Sequence, residues 1–175
     1  ARIASECFMP FAYGGGIRNI IEAKELLSLG VDKLVIQSAA FKNLKLISEI
    51  SEFSGSQSIS VSIDVVQNDD LDYFAFHAAL NQVSPIPLEQ LIKQVQLAGA
   101  GELILTAVNN EGKMQGYDLH LIEMVRDISN IPIVANGGAG SFQHFTDAFA
   151  AGADAVAAGS FFVFYSKRKG VLISY

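Results

Sequence analysis

One stretch of this chain occurs twice, and that duplication limits the fold more than any other feature. The first copy runs from Met9-Pro-Phe-Ala-Tyr-Gly-Gly-Gly to Gly30-Val-Asp-Lys-Leu-Val-Ile-Gln-Ser38. The second runs from Ile131-Pro-Ile-Val-Ala-Asn-Gly-Gly to Gly152-Ala-Asp-Ala-Val-Ala-Ala-Gly-Ser160. The copies align without a gap at an offset of 122, which pairs Pro10 with Pro132, Gly15 and Gly16 with Gly137 and Gly138, Gly30 with Gly152, Asp32 with Asp154 and Ser38 with Ser160. All of these identities fall at turns or caps, which marks a repeated structural unit. Each copy reads as a short apolar strand, a Gly-rich turn, a helix, a Gly-Asp turn and a second apolar strand, a βαβ unit of a parallel sheet.

Strands are expected near residues 10, 34, 60, 104, 133 and 156, with helices from about Asn19, Asn43, Leu88 and Leu119 and again in the second copy. Residues 67 to 86 match a short hairpin or an active-site loop, and the tail from Phe161 has no helical periodicity. The repeat makes the first copy the third and fourth units, and the second copy the seventh and eighth units, of a larger whole. The fold class is therefore α/β, a (β/α)₈ barrel, with the first two βα units expected to lie before residue 1. The chain is expected to be a single partial barrel domain over 1–175, with repeat units 9–41 and 131–163. A doubly wound open sheet is the alternative, but its G-x-G-x-x-G fingerprint is absent, because Asn19 holds the sixth position. Half of the residues are hydrophobic and 17% are charged, which suits strands buried on both faces and excludes disorder. A net charge of −6 argues against nucleic acid. The single cysteine, Cys7, fits a reducing cytoplasm, and no apolar run approaches the ~18 residues of a membrane span. The N-terminus reads as the middle of a helix, not as a signal peptide.

In such a barrel, chemistry sits at the C-terminal ends of the strands. Several of those ends are rich in Gly or Ser: Gly14 to Gly16, Gln37-Ser38, Gly137-Gly138 and Gly159-Ser160. Glycine lets a ligand approach backbone N–H groups, so two such sites related by the repeat fit a substrate with a phosphate at each end. The same glycines also permit tight strand-to-helix turns. Asp64 closes the apolar run Ser58 to Ile63 and can serve as general acid or base, or as a structural acceptor for backbone N–H groups. By the repeat, its symmetric partner lies before residue 1. Glu111 reads equally well as a loop charge, and Asp118 as the cap of the helix that follows it. His77, His120 and His144 have no ligand spacing. The latter two read as surface residues, and neither a metal nor a cofactor is indicated.

The motifs Gly14-Gly-Gly-Ile-Arg, Ser38-Ala-Ala, Phe53-Ser-Gly-Ser-Gln, Ser62-Ile-Asp, Gly99-Ala-Gly-Glu, Glu111-Gly-x-x-x-Gly-Tyr-Asp, Asn136-Gly-Gly-Ala-Gly and Gly152-Ala-Asp-Ala fall in one order. From about residue 5 to 163 the chain resembles the cyclase subunit of imidazole glycerol phosphate synthase. It looks still closer to a paralogous branch, the glycosyl amidation-associated proteins of surface-polysaccharide clusters, through Ala4 to Arg18 and the ending Val171-Leu-Ile-Ser-Tyr. The resemblance implies a lyase that receives ammonia from a docked glutaminase subunit, in a heterodimer, and uses it on a bisphosphorylated ribulosyl substrate in histidine biosynthesis. It implies Asp64 as one of two catalytic aspartates. It also implies phosphate contacts at Gly15, Gly16, Gln37, Ser38, Gly112, Gly137, Gly138, Gly159 and Ser160. The polysaccharide branch implies instead a non-catalytic ammonia channel or scaffold beside a sugar amidotransferase. Gln37 stands where the cyclase has Asn, Asn109 and Glu111 replace the aspartates of its D-x-D-G loop, and Asn136 replaces a Ser.

Lys33 and Glu102 each begin a strand, at the N-terminal face of the barrel. They read as solvated strand-end charges. The resemblance implies more, that they pair near the barrel axis at the entrance of the ammonia channel and gate it. With the second aspartate expected upstream, the chain as given is expected to bind a bisphosphate weakly and to turn it over near background.

Overall fold

The computed structural model describes residues 9–165 together with 170 and 171. Cys7, the expected helix end over residues 1–8 and most of the C-terminal ending lie outside the described residues. The described elements alternate along the chain. They are β1 (Ala12–Gly14), α1 (Ile20–Ser28), β2 (Lys33–Ile36), α2 (Ser38–Lys42), α3 (Leu44–Ser54), β3 (Ile59–Gln67), β4 (Tyr73–His77), β5 (Gln82–Val83), α4 (Leu88–Leu97), β6 (Glu102–Ala107), α5 (Leu119–Ile128), β7 (Ile133–Asn136), α6 (Phe142–Ala150), β8 (Ala155–Val156), α7 (Ser160–Val163), β9 (Phe164–Tyr165) and β10 (Gly170–Val171).

Six strands pair in parallel in the order β1-β2-β3-β6-β7-β8, and β4-β5 fold back antiparallel from the end of β3. These strands with their outer helices form a curled arc of a (β/α)₈ barrel. Register and burial divide the sheet into two faces. Leu34 pairs with Ile59, Val61 with Leu103, and Leu103 with Ile133. All of these are fully buried, with Ile47 and Ile50 of α3, Leu91 and Val95 of α4 and Val125 of α5 in the same core. Fully burying one such side chain stabilises by about 1.5–3 kcal/mol. The alternate residues face the barrel interior: Lys33 and Val35, Ser60, Ser62 and Asp64, Glu102, Ile104 and Thr106, Val134 and Asn136. A strand has a period of two, so the apolar set cannot turn inward without a register slip.

The two copies use the same devices. Asn19 caps α1 at φ −152°, ψ 167° and Ser141 caps α6 at φ −154°, ψ 162°. Gly30 and Gly152 follow those helices at φ 90° and 106°. Asp32 accepts the Phe11 N–H at 2.8 Å, and Asp154 accepts the Ile133 N–H at 2.8 Å. Asp154 also takes an Arg126 hydrogen bond at 2.8 Å. Glu22 returns the Asn19 cap by accepting the Arg18 N–H at 2.8 Å, a reciprocal arrangement that satisfies free N–H groups of the first turn.

Some boundaries differ from the sequence expectation. The first strand starts at Ala12 rather than near residue 10, because Pro10 has no N–H and the Phe11 N–H goes to Asp32 instead of a neighbouring strand. Residues 67–86 contain a hairpin, and the tail contributes α7 and the β9-β10 pair. His144 is half-buried rather than a simple surface residue, since its Nδ1 accepts the Gly140 N–H at 3.1 Å. His120 is exposed and stacks on Tyr73 at 5.7 Å between ring centroids. Among the described residues no helix is long and apolar enough to cross a membrane.

Candidate functional site

Four side chains form a row across the C-terminal ends of neighbouring strands. Gln37, just past β2, donates from Nε2 to Asp64 Oδ2 at 2.7 Å. Thr106 lies beside Asp64 in the β3–β6 register, where its hydroxyl helps to lower the Asp64 pKa. Asn136, beside Thr106 in the β6–β7 register, donates to Thr106 Oγ1 at 3.1 Å. Burial raises the Asp64 pKa above the usual carboxylate value, and the bonds from Gln37 and Thr106 pull it back only in part. The result is a half-buried carboxyl, oriented on two sides, whose proton affinity lies closer to neutrality than that of a surface aspartate. Such a group can take up or release a proton. Sequence reading singled out Gln37 and Asp64. It placed Thr106 and Asn136 at strand ends but gave neither side chain a role at the site.

The first Gly-rich turn opens onto a cavity of about 660 Å³ lined by Gly14 to Gly16, Arg18, Gln37, Ser38 and Lys42. Gly15 and Gly16 hold φ of 104° and 74°, and a Cβ at either would meet nothing within 4 Å. Their glycine identity is set by the backbone path, and the space above them is free. The second turn differs. Gly137 and Gly138 have φ of 97° and 99° and are buried. A Cβ on Gly138 would collide with the Gly116 carbonyl, and the Gly116 N–H donates to Gly138 O at 2.8 Å. The loop from 108 to 118 therefore lies on this turn. Tyr117 holds it there, with its hydroxyl donating to Ala157 O at 2.8 Å and burial pushing its pKa up to about 12. Gly112 and Gly159 have nothing within 4 Å of a built Cβ. Ser38 and Ser160 begin α2 and α7, after N-cap residues of similar path: Gln37 at φ −121°, ψ −80° and Gly159 at φ −100°, ψ −69°.

Of the other acids flagged in the sequence, Asp118 has structural partners. Asp118 accepts the Leu121 N–H at 3.0 Å as the cap of α5 and also accepts the Tyr73 hydroxyl at 2.9 Å. Burial, with Asp118 as a second cause, raises the Tyr73 pKa. Asn109 accepts the Gln67 N–H at 2.9 Å, which ties the end of β3 to the loop, and Glu111 is exposed. Among the described residues no three His, Cys, Asp or Glu side chains group as a metal site.

At the opposite end of the strands, Lys33 Nζ lies 2.7 Å from Glu102 Oε2, and both side chains are less than a third exposed. The hydroxyl of the fully buried Ser60 donates to the other Glu102 oxygen. Ser60 lies between the two strands in register, opposite Val35 on β2 and Glu102 on β6. No sequence motif singled it out.

Residues 1–168 match the family described as histidine biosynthesis protein. A protein of Thermotoga sp. (strain RQ2) named imidazole glycerol phosphate synthase subunit HisF is 39% identical over 180 residues, covering 97% of this chain and 71% of its own. The protein of the same name from Dictyoglomus thermophilum is 36% identical over 181 residues, covering 98% of this chain and 72% of its own. A Leptospira borgpetersenii protein named for the same subunit is 40% identical over 177 residues, covering 99% of this chain and 69% of its own. With the parallel arc, the Gly-rich turns and these matches together, the chain belongs to the histidine biosynthesis protein family, in the company of the HisF subunits.

Proposed function

We propose that this protein carries out the ring-closing step of a HisF-type cyclase, using ammonia from a glutaminase subunit on a bisphosphorylated substrate. The observation that carries the reading is the position of Asp64. Its carboxyl is held by Gln37 and Thr106 at the mouth, in the strand between the two Gly-rich turns. The backbone N–H groups around Gly15, Gly16 and Ser38 take one phosphate. Those around Gly112, Gly137, Gly138, Gly159 and Ser160 take the other. Both phosphates then fix the chain of reacting atoms over Asp64, so that binding energy from the two ends is spent on orientation. Asp64 transfers the proton that ring closure requires. The raised proton affinity suits that role, since burial moves the carboxyl away from the low range of an exposed aspartate and toward the pH at which the proton moves.

Ammonia enters from the opposite face. The Lys33–Glu102 pair with Ser60 stands there as the gate, and the glutaminase docks over it in the cytoplasm. The test is turnover of a bisphosphorylated ribulosyl substrate with ammonium salt in place of the glutaminase. From a protein that carries both carboxylates, ring-closed product is expected, with a loss of about 10²–10⁴-fold in Asp64→Asn, whereas residues 1–175 alone are expected to bind the bisphosphate and turn it over near background. Tight substrate binding without turnover in the protein that carries both carboxylates would contradict the catalytic reading and favour a channel or scaffold subunit.

A further inference from the structure

Among the described residues, the two Gly-rich turns share positive-φ glycines but differ in charge. Arg18 and Lys42 line the cavity of the first turn beside Gly16, Gln37 and Ser38. Both are exposed, and the ion pairs among the described residues are Lys33–Glu102, Lys45–Glu49, Lys93–Glu89 and Arg126–Asp154. Neither Arg18 nor Lys42 therefore has a paired carboxylate among the described residues. Glu22, the acid nearest to Arg18 in the chain, is occupied by the Arg18 backbone N–H and by Asn19 Nδ2. The residues 122 positions on are Gly140 and Phe164, neither of which can carry charge. Gly140 is moreover packed on Met114, so that a Cβ there would meet the Met114 carbonyl. At the second turn the loop that covers Gly138 brings one Lys, Lys113, next to the open Gly112.

We propose that the first turn is the charge-selective anchor of this site. Arg18 and Lys42 recognise a dianionic phosphate monoester there, whereas the second turn holds its phosphate through backbone N–H groups and the Ser160 hydroxyl. This rests on the bisphosphate reading above and adds an order to it. A ligand with a single phosphate seats that phosphate at the first turn, and the second end follows. The physical basis is the mix of donors. A guanidinium offers a planar fork that fits phosphate oxygens, and an ammonium on a flexible stem adds a point charge. Both lose strength as salt shortens the reach of the field. Neutral N–H donors are far less sensitive.

The experiment is a titration of the protein with inorganic phosphate, with the amide resonances of Gly16 and Gly159 read separately. Gly16 is expected to respond at the lower concentration. Arg18→Gln and Lys42→Gln are each expected to weaken the Gly16 response by about 3- to 10-fold and to leave Gly159 unchanged. Raising salt from about 0.1 M to about 1 M shortens the Debye length from ~10 Å to ~3 Å and is expected to weaken Gly16 more than Gly159. Both side chains are exposed and have no ion pair among the described residues, so the thermal midpoints of the variants should match the parent and exclude misfolding. Parent-like phosphate binding in both variants, or Gly159 responding first, would overturn the inference while leaving two-site binding intact. No response at either turn in the parent protein would overturn the bisphosphate reading and this inference with it.

Discussion

Gln37 Nε2 and Asp64 Oδ2 stand 2.7 Å apart across β2 and β3, and this bond helps set how Asp64 titrates. Burial raises the Asp64 pKa and the Gln37 bond lowers it. Gln37→Leu removes a donor to the charged form and should raise the pKa further, as followed by carboxyl carbon NMR. A fall would show that Gln37 does not stabilise the carboxylate.

The same shift has a consequence for stability. The folded state binds the Asp64 proton more tightly than the unfolded chain does, so ionising Asp64 costs stability as pH rises above the ordinary aspartate value of 3.8. The cost is complete above the folded pKa and disappears below the unfolded one. Asp64→Asn should therefore melt higher than the parent at pH 7, with the gap closing as the pH falls from the folded pKa toward 3.8 and gone below it. A variant that melts lower at pH 7 would assign Asp64 a structural role instead.

The Lys33–Glu102 pair should be coupled in stability. Removing one partner leaves a charge half-buried at the barrel interior, with Ser60 as its remaining bond in the case of Glu102. Lys33→Met is expected to cost about 1–3 kcal/mol, and adding Glu102→Gln should return part of that, a coupling of about 0.5–3 kcal/mol in a double-mutant cycle by urea denaturation. Additive costs would mean that the pair is screened and of no energetic weight.

The sequence made the cross-sheet devices within each copy legible, and hid those between strands far apart in the chain. Asn19, Asp118 and the Gly30 turn could be read because a cap and its partner lie within a few residues. The pairs Asn136–Thr106 and Ser60–Glu102 span 30 and 42 residues and depend on strand register, which no local pattern states. Helix α2 was missed because five residues are too few for a helical period to show. Gly15, Gly16, Gly137 and Gly138 all hold positive φ. What the sequence could not show is that a loop covers one pair and not the other.

That difference predicts unlike outcomes for two substitutions. Gly138→Ala drives a Cβ into the Gly116 carbonyl at a position with φ of 99° and should loosen the 108–118 loop, at a cost of about 1–3 kcal/mol and with faster exchange of the Gly116 amide. Gly159→Ala meets open space at an ordinary φ and should leave the melting temperature within the range of a surface change. Equal destabilisation by the two would show that the loop does not rest on Gly138.

His77 offers a stability gain. It is buried against Phe41, with ring centroids 5.2 Å apart, and both ring nitrogens lack a partner among the described residues. Leaving such groups unsatisfied costs about 1–3 kcal/mol, whereas an apolar ring of similar shape carries no such cost. His77→Phe should raise the urea midpoint. A drop would show that the imidazole is hydrogen-bonded in solution.

The most direct measurement compares a bisphosphorylated ligand with its two monophosphorylated halves by calorimetry and amide hydrogen exchange on the same protein. If the two turns clasp the two ends of one substrate over Asp64, the bisphosphate should bind at least about 100-fold tighter than either half, as expected when the second contact becomes intramolecular. It should also protect the amides around Gly16 and Ser160 together. A bisphosphate that binds no tighter than a monophosphate, or that protects only one turn, would contradict the account.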